Sequence, residues 1–242
     1  MVFDNVTFSY NPSEAMVLKN INIYIKQGEI VAIIGGTGSG KTTVAKLLMD
    51  FYAPVKGSIF LGGKAYSELN HETVRDNISI ALQKSMVFHG TIEDNIKMGL
   101  KEATEEQLIE AAEISQIYDF IKAQEEKFQY KLSQAGANLS GGQKQRINIA
   151  RAIIKPASVY VFDDSFSALD YLTESNLRRA LNQYLKGKTQ IIITQRAATA
   201  MRCDKVYVMD RGEIVGCGTH KELLENCTIY KEIYASQLGG TR

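Results

Sequence analysis

IVAIIGGTGSGKTTVAKLLMDFY, residues 30–52, decides the fold. Five apolar residues, Ile30–Ile34, form a run too short for a membrane and rich in β-branched side chains, which predicts a buried strand. The run breaks on GGTGSGKTT, residues 35–43, which satisfies G-x-x-x-x-G-K-[ST]. A helical pattern, KTTVAKLLMDFY, follows at once. Strand, glycine loop and helix in that order build an anion cradle: glycines let backbone N–H groups turn inward, and the helix N-terminus adds its positive dipole. Lys41 is placed to reach the β and γ phosphates of a nucleotide, and the Thr42 hydroxyl to ligate Mg²⁺. Gly35, Gly36, Thr37, Gly38, Ser39, Gly40, Lys41, Thr42 and Thr43 are therefore the candidate phosphate-binding set.

Working outward, β-rich segments VLKNINIYI, ISIAL, VYVF, QIIIT and KVYVM alternate with helical patterns for most of the chain. That alternation predicts an α/β fold with a largely parallel sheet. Glycines at 57, 62, 63, 212, 216 and 218 bracket SIFL and EIVGC, which read as hairpins added at the edges. TEEQLIEAAEISQIYDFIKAQEE, residues 104–126, interrupts the alternation; it opens on a Thr104/Gln107 capping box and continues helical and acidic without a strand. Residues 84–155 are expected to form a helical lobe inserted into an α/β core made of residues 1–83 and 156–242, the whole being one domain.

A chain of 242 residues, 45% hydrophobic and 23% charged, can bury a large core, which excludes a disordered segment. The net charge of +1 offers no basic field for nucleic acid. Three cysteines at 203, 217 and 227 lack metal-ligand spacing and are an odd number, so they read as structural thiols of a reducing compartment. Met1 leads directly into an alternating strand pattern rather than a signal peptide, and the chain as written is expected to be soluble.

A phosphate cradle fits kinases, GTPases and motors alike, and LSGGQKQRINIARAII, residues 139–154, separates them. LSGGQ followed by a basic amphipathic helix and then by VYVFDD resembles the nucleotide-binding domain of ABC-type ATPases, along essentially the whole chain. The resemblance implies a P-loop NTPase core of RecA-like type, with an antiparallel β edge and an inserted helical subdomain. It implies ATP and Mg²⁺ as ligands. Tyr10 resembles the aromatic that stacks on adenine. Gln83 resembles the Q-loop glutamine that meets Mg²⁺ and the attacking water, and Ser167, Ala168, Leu169 and Asp170 resemble the D-loop. Leu139, Ser140, Gly141, Gly142 and Gln143 form the signature. In this family the signature completes the ATP site of a second domain facing head to tail.

Two aspartates end the apolar run VYVFDD. Asp163 resembles the Walker B carboxylate that holds Mg²⁺, making Thr42, Gln83 and Asp163 the implied metal set. Asp164 stands where the family has the glutamate that orients water, one methylene too short. Gln195, in T-Q-R after QIIIT, occupies the switch-histidine position; it can hydrogen-bond a γ-phosphate without imidazolium charge. Gln134 replaces an exporter glutamate that precedes the signature. Asp164, Gln195 and Gln83 are the candidate catalytic set. Binding without efficient turnover resembles the degenerate subunit of heterodimeric multidrug exporters, whose partner domain retains glutamate and histidine. MVFHGTIEDNIKMGL, residues 86–100, and GTHKELLEN, residues 218–226, resemble exporter segments. The implied setting is the cytoplasmic face of a membrane, with a transmembrane domain preceding this one in the same polypeptide. An importer subunit and a soluble, non-transport ABC ATPase are the alternatives.

Overall fold

The computed structural model describes residues 1–11 and 13–238, and the chain divides into two compact units: Met1–Ile78 with Gly187–Arg242, and Ser79–Lys186. The second unit is wider than the expected helical lobe, because it takes in strands and one helix as well as the helices between them.

The first unit begins with β1 (Val2–Phe8) and β2 (Leu18–Tyr24), then β3 (Ile30–Gly35), α1 (Lys41–Leu48), β4 (Lys56–Leu61), β5 (Lys64–Ala65) and α2 (His71–Asn77). β1, β2, β4 and β5 form an antiparallel sheet in the order β2-β1-β4-β5, and Gly62 and Gly63 close its last hairpin as the sequence predicts. β2 buries Leu18, Ile21 and Ile23, with an irregularity at the exposed Lys19 and Asn20, where Asn20 is left-handed at φ 49°. β3 instead is buried at nearly every residue, Val31–Ile34 all at 0% exposure, as a central strand covered on both faces of its sheet is.

The second unit runs β6 (Ile78–Ala81), β7 (Gly90–Thr91), α3 (Ile92–Lys97), α4 (Glu105–Ile114), α5 (Tyr118–Lys122), β8 (Lys131–Leu132), α6 (Gly141–Ile154), β9 (Val159–Asp163) and α7 (Tyr171–Tyr184). β6 and β9 are sheet neighbours. The helical stretch from residue 104 is not one helix. The Thr104/Gln107 capping box forms, but α4 stops at Ser115 and Gln116 turns left-handed at φ 60°. Gln116 N–H then donates to Glu113 O and Ile117 N–H to Ala112 O, a paired C-terminal closure usually built on glycine. A two-residue antiparallel ladder, Gly90–Thr91 with Leu132–Lys131, also sits within this helical part.

The chain returns to the first unit with β10 (Thr189–Thr194), α8 (Ala197–Ala200), β11 (Lys205–Asp210), β12 (Glu213–Gly218), α9 (His220–Asn226) and α10 (Thr228–Leu238). β10 and β11 lie parallel on either side of β3, with Ile191 opposite Val31 and Val206 opposite Ala32. β12 adds antiparallel to β11 through the turn at Arg211–Gly212. Cys203 and Cys227 are buried as structural thiols should be, whereas Cys217 is exposed on β12 and its thiol is raised above its ordinary pKa by desolvation.

Candidate nucleotide site

β3 ends at Gly35, where a Cβ would stand 2.2 Å from Met209 O and 2.7 Å from Ser39 Oγ, so only glycine lets the chain leave the sheet there. Gly40, at φ +103°, opens α1 in a backbone conformation closed to ordinary side chains, and no side chain caps that helix. First-turn N–H groups of an uncapped helix turn to an anion. Lys41 is buried and folds back over the loop. Its Nζ donates to Gly35 O at 2.8 Å, Gly36 O at 2.6 Å and Ser39 Oγ at 3.2 Å, which offsets the cost of holding an ammonium out of water. The Thr42 side chain is exposed at the start of the helix.

Tyr10 follows β1 and is pinned by its hydroxyl, 3.0 Å from Thr43 Oγ1 and accepting from Lys46 Nζ at 3.3 Å. Phe8 and Tyr52 meet its ring nearly edge-on, at centroid distances of 5.0 and 5.3 Å. The Lys46 ammonium lies 4.9 Å from the ring centroid, a cation–π contact. The ring remains 41% exposed, enough to offer a stacking surface. Lys46 carries no sequence signal for the site; it lies five residues past Lys41 on the same helix and comes to Tyr10 only through the fold. Gln195, just past the end of β10, accepts at its Oε1 from Thr37 Oγ1 over 3.5 Å, so this candidate residue meets the glycine loop.

Within the second unit, Asp163 ends β9 at 2% exposure. The alternation of an extended strand would send neighbouring side chains to opposite faces. Asp164 does not obey it. Its backbone is left-handed, φ 46°, a region in which aspartate is enriched, and its carbonyl accepts from Ser167 N–H at 3.3 Å and Ser167 Oγ at 2.9 Å. Its carboxylate accepts from Gln83 Nε2 at 3.4 Å, bringing two candidate catalytic residues together.

Ser140 caps α6 through a full capping box: its Oγ accepts from Gln143 N–H at 3.2 Å, and Gln143 Oε1 accepts from Ser140 N–H at 2.7 Å. Because that hydroxyl is an acceptor toward its own helix, its proton is available to donate outward. Ser140, Gly141 and Gly142 line an open cavity of about 400 Å³ with Arg146, Ala168 and Asp170. Burial lowers the pKa of Arg146 below the ordinary guanidinium value, with Asp170 opposing the shift. Gln145, which carries no sequence signal, ties α6 to the candidate D-loop residues 167 and 168. Its Nε2 donates to Ser167 Oγ at 3.0 Å and its Oε1 accepts from Ala168 N–H at 2.9 Å. Gln134 sits exposed in a short 3-10 turn whose next residue, Ala135, is left-handed.

The stretch after Gln83 is held from behind. Arg151 donates from Nε to Asn95 O at 2.7 Å, from Nη1 to Met86 O at 2.8 Å and from Nη2 to Asn95 Oδ1 at 2.9 Å, with burial lowering its pKa to about 10. Met86, Phe88 and Met98 are presented outward at 50%, 41% and 56% exposure. Among the described residues, no helix is long and apolar enough to cross a membrane.

A glycine loop between a buried strand and an uncapped helix, with the capped start of α6 packed against residues 167–168, has the arrangement of an ABC-type nucleotide-binding domain. The family profile for ABC transporters matches residues 18–167, and the chain belongs to that family. It is 40% identical over 237 residues to an uncharacterized ABC transporter ATP-binding protein, YfiB, of Bacillus subtilis strain 168, covering 98% of this chain and 41% of that protein. It is 38% identical over 238 residues to the alpha-hemolysin translocation ATP-binding protein HlyB of Escherichia coli, covering 98% of this chain and 34% of that protein. A bacterial Atm1-family ABC exporter solved with ATP bound superposes with a TM-score of 0.95 at 32% identity, over 100% of this chain and 42% of the other. The chain thus spans about two fifths or less of the length of these relatives.

Proposed function

We propose that residues 1–242 form one nucleotide-binding domain that powers export across a membrane from its cytoplasmic face. It works as half of a head-to-tail pair with a different chain, and a transmembrane domain precedes it in the full polypeptide. The exporter relatives, each more than twice the length of the matched segment, support that setting. The outward Met86, whose carbonyl accepts from Arg151, together with Phe88 and Met98, suits contact with the membrane domain.

The residues fit Mg·ATP. The loop from Gly35 to Thr43 receives the phosphates, Lys41 exchanges loop carbonyls for β and γ phosphate oxygens, and Tyr10 supports the base. Thr42, Gln83 and Asp163 are hard oxygen donors with a single carboxylate, the type of set that holds Mg²⁺ together with phosphate oxygens. Mg²⁺, when bound there, neutralises charge on the β and γ phosphates.

The observation that carries the slow-site reading is Asp164 in its left-handed turn with Gln195 beside Thr37. Asp164 reaches one methylene less far than glutamate toward an attacking water, and its carboxylate accepts from Gln83 Nε2 at 3.4 Å. Gln195 donates an amide hydrogen bond to a γ-phosphate where an imidazolium would add charge. Ser140 and the α6 N-terminus offer a hydroxyl proton and N–H groups to the γ-phosphate held by the partner. The test is direct: the chain should bind Mg·ATP and release phosphate very slowly, and Lys41→Ala should abolish binding. Micromolar binding that survives Lys41→Ala refutes the phosphate-loop assignment.

A further inference from the structure

The segment joining β10 to α8 carries Gln195, and its backbone is not held by a strand ladder. Arg196 N–H donates to Thr194 Oγ1 at 3.0 Å, a local bond. Arg196 O accepts from Thr199 N–H and Ala200 N–H as α8 begins, and one distant side chain holds the peptide groups on either side of Arg196. Gln237, on α10, donates from Nε2 to Gln195 O at 2.7 Å and accepts at Oε1 from Ala197 N–H at 2.8 Å. A single planar carboxamide thus brackets the peptide groups on both sides of Arg196, as a neighbouring strand would. Only a group with a donor and an acceptor at that reach can do both: glutamate lacks the donor, asparagine lacks a methylene, and an apolar residue lacks both.

The Gln195 side chain leaves this clamped backbone toward Thr37, its Oε1 3.5 Å from Thr37 Oγ1. Rotating the Gln195 peptide by a few tens of degrees would displace that side chain by an ångström or more, and displacements on the order of 1 Å at a reacting phosphate are costly. We propose that Gln237 is a positioning residue that locks the switch segment, so that the C-terminal helix sets how well Gln195 discriminates ATP from ADP. This rests on the reading of Gln195 as the γ-phosphate contact. α10 otherwise packs on α8, α9 and β11, so the clamp also gives the C-terminal end of the chain a physical route to the nucleotide.

The experiment measures Mg·ATP and Mg·ADP affinities of the whole chain by calorimetry for the parent, Gln237→Ala, Gln237→Glu, Gln195→Ala and the Gln195→Ala/Gln237→Ala pair. Gln237 is exposed at the end of its helix, so its variants are expected to fold. Gln237→Ala should lower the ATP-over-ADP preference about tenfold, the equivalent of ~1.4 kcal/mol, with Mg·ADP affinity unchanged. Gln237→Glu, which keeps the acceptor for Ala197 N–H, should fall between Gln237→Ala and the parent. Gln195→Ala should produce a similar loss, and the pair no more than either alone, because the two residues act in series. A loss with Gln195→Ala but none with Gln237→Ala overturns the clamp and leaves the Gln195 reading standing. No loss with Gln195→Ala overturns that reading and the clamp with it. An equal fall in ATP and ADP affinity shows general damage to the phosphate loop and also overturns the proposal.

Discussion

Gly141→Asp separates the stability of the signature helix from its work on a phosphate. Gly141 is the first residue of α6, and a Cβ there would meet only Ala168 Cβ at 3.6 Å, an ordinary contact. Aspartate is a slightly better helix residue than glycine, and a carboxylate in the first helical turn is favoured by the dipole by about 0.3–1 kcal/mol. The variant should therefore be more stable by about 1 kcal/mol, raising Tm by roughly 2–4 °C in a chain of this size. The same carboxylate borders the open cavity of Ser140, Gly142 and Arg146. If that cavity receives the partner's γ-phosphate, a new negative charge about 4 Å away costs ~4 kcal/mol at an effective dielectric near 20. That corresponds to a fall of about 10³-fold in phosphate release by the assembled pair. The assay is thermal melting of the single chain alongside steady-state phosphate release by the reconstituted transporter. A raised Tm with unimpaired phosphate release would refute the argument that the signature faces a phosphate.

If the own site is the slow one, Asp164→Asn should leave most of the assembled pair's phosphate release in place; near-complete loss would show that this site carries the turnover. On the acid side, Asp94 is held below the ordinary carboxylate range by the Thr91 N–H and hydroxyl of the α3 capping box. Its folded pKa lies below its unfolded one, so its contribution is present above about pH 4 and is lost as pH falls through the folded value. Urea midpoints followed downward from pH 5 should fall for the parent and fall less steeply for Asp94→Asn; identical slopes would remove Asp94 from the acid response.

Local chemistry made much of this protein readable from its residues in order. Ile30–Ile34 is apolar throughout because β3 is covered on both sides, and the glycines after it are required by the 2.2 Å approach to Met209 O and by a positive φ at Gly40. The capping boxes at Thr104, Ser140 and Thr219 depend on residues three apart, so the helix starts were written within single turns. The family itself followed from motifs of that short range.

Tertiary structure alone decided what depends on partners far apart in sequence. The break at Gln116 is a backbone event at a residue with no glycine signal, its carbonyl taken by Arg146 from 30 residues away. Gln145 on the D-loop, Arg151 behind Met86 and Gln237 on the switch segment are separated from their partners by 22, 65 and 42 residues. Each is a polar side chain that reads as a solvated helix residue until folding brings a specific backbone carbonyl, N–H or hydroxyl within 3.0 Å. Periodicity records which face of a helix is buried, but a hydrogen bond depends on distance and angle between two particular groups, and those are set only when the elements pack.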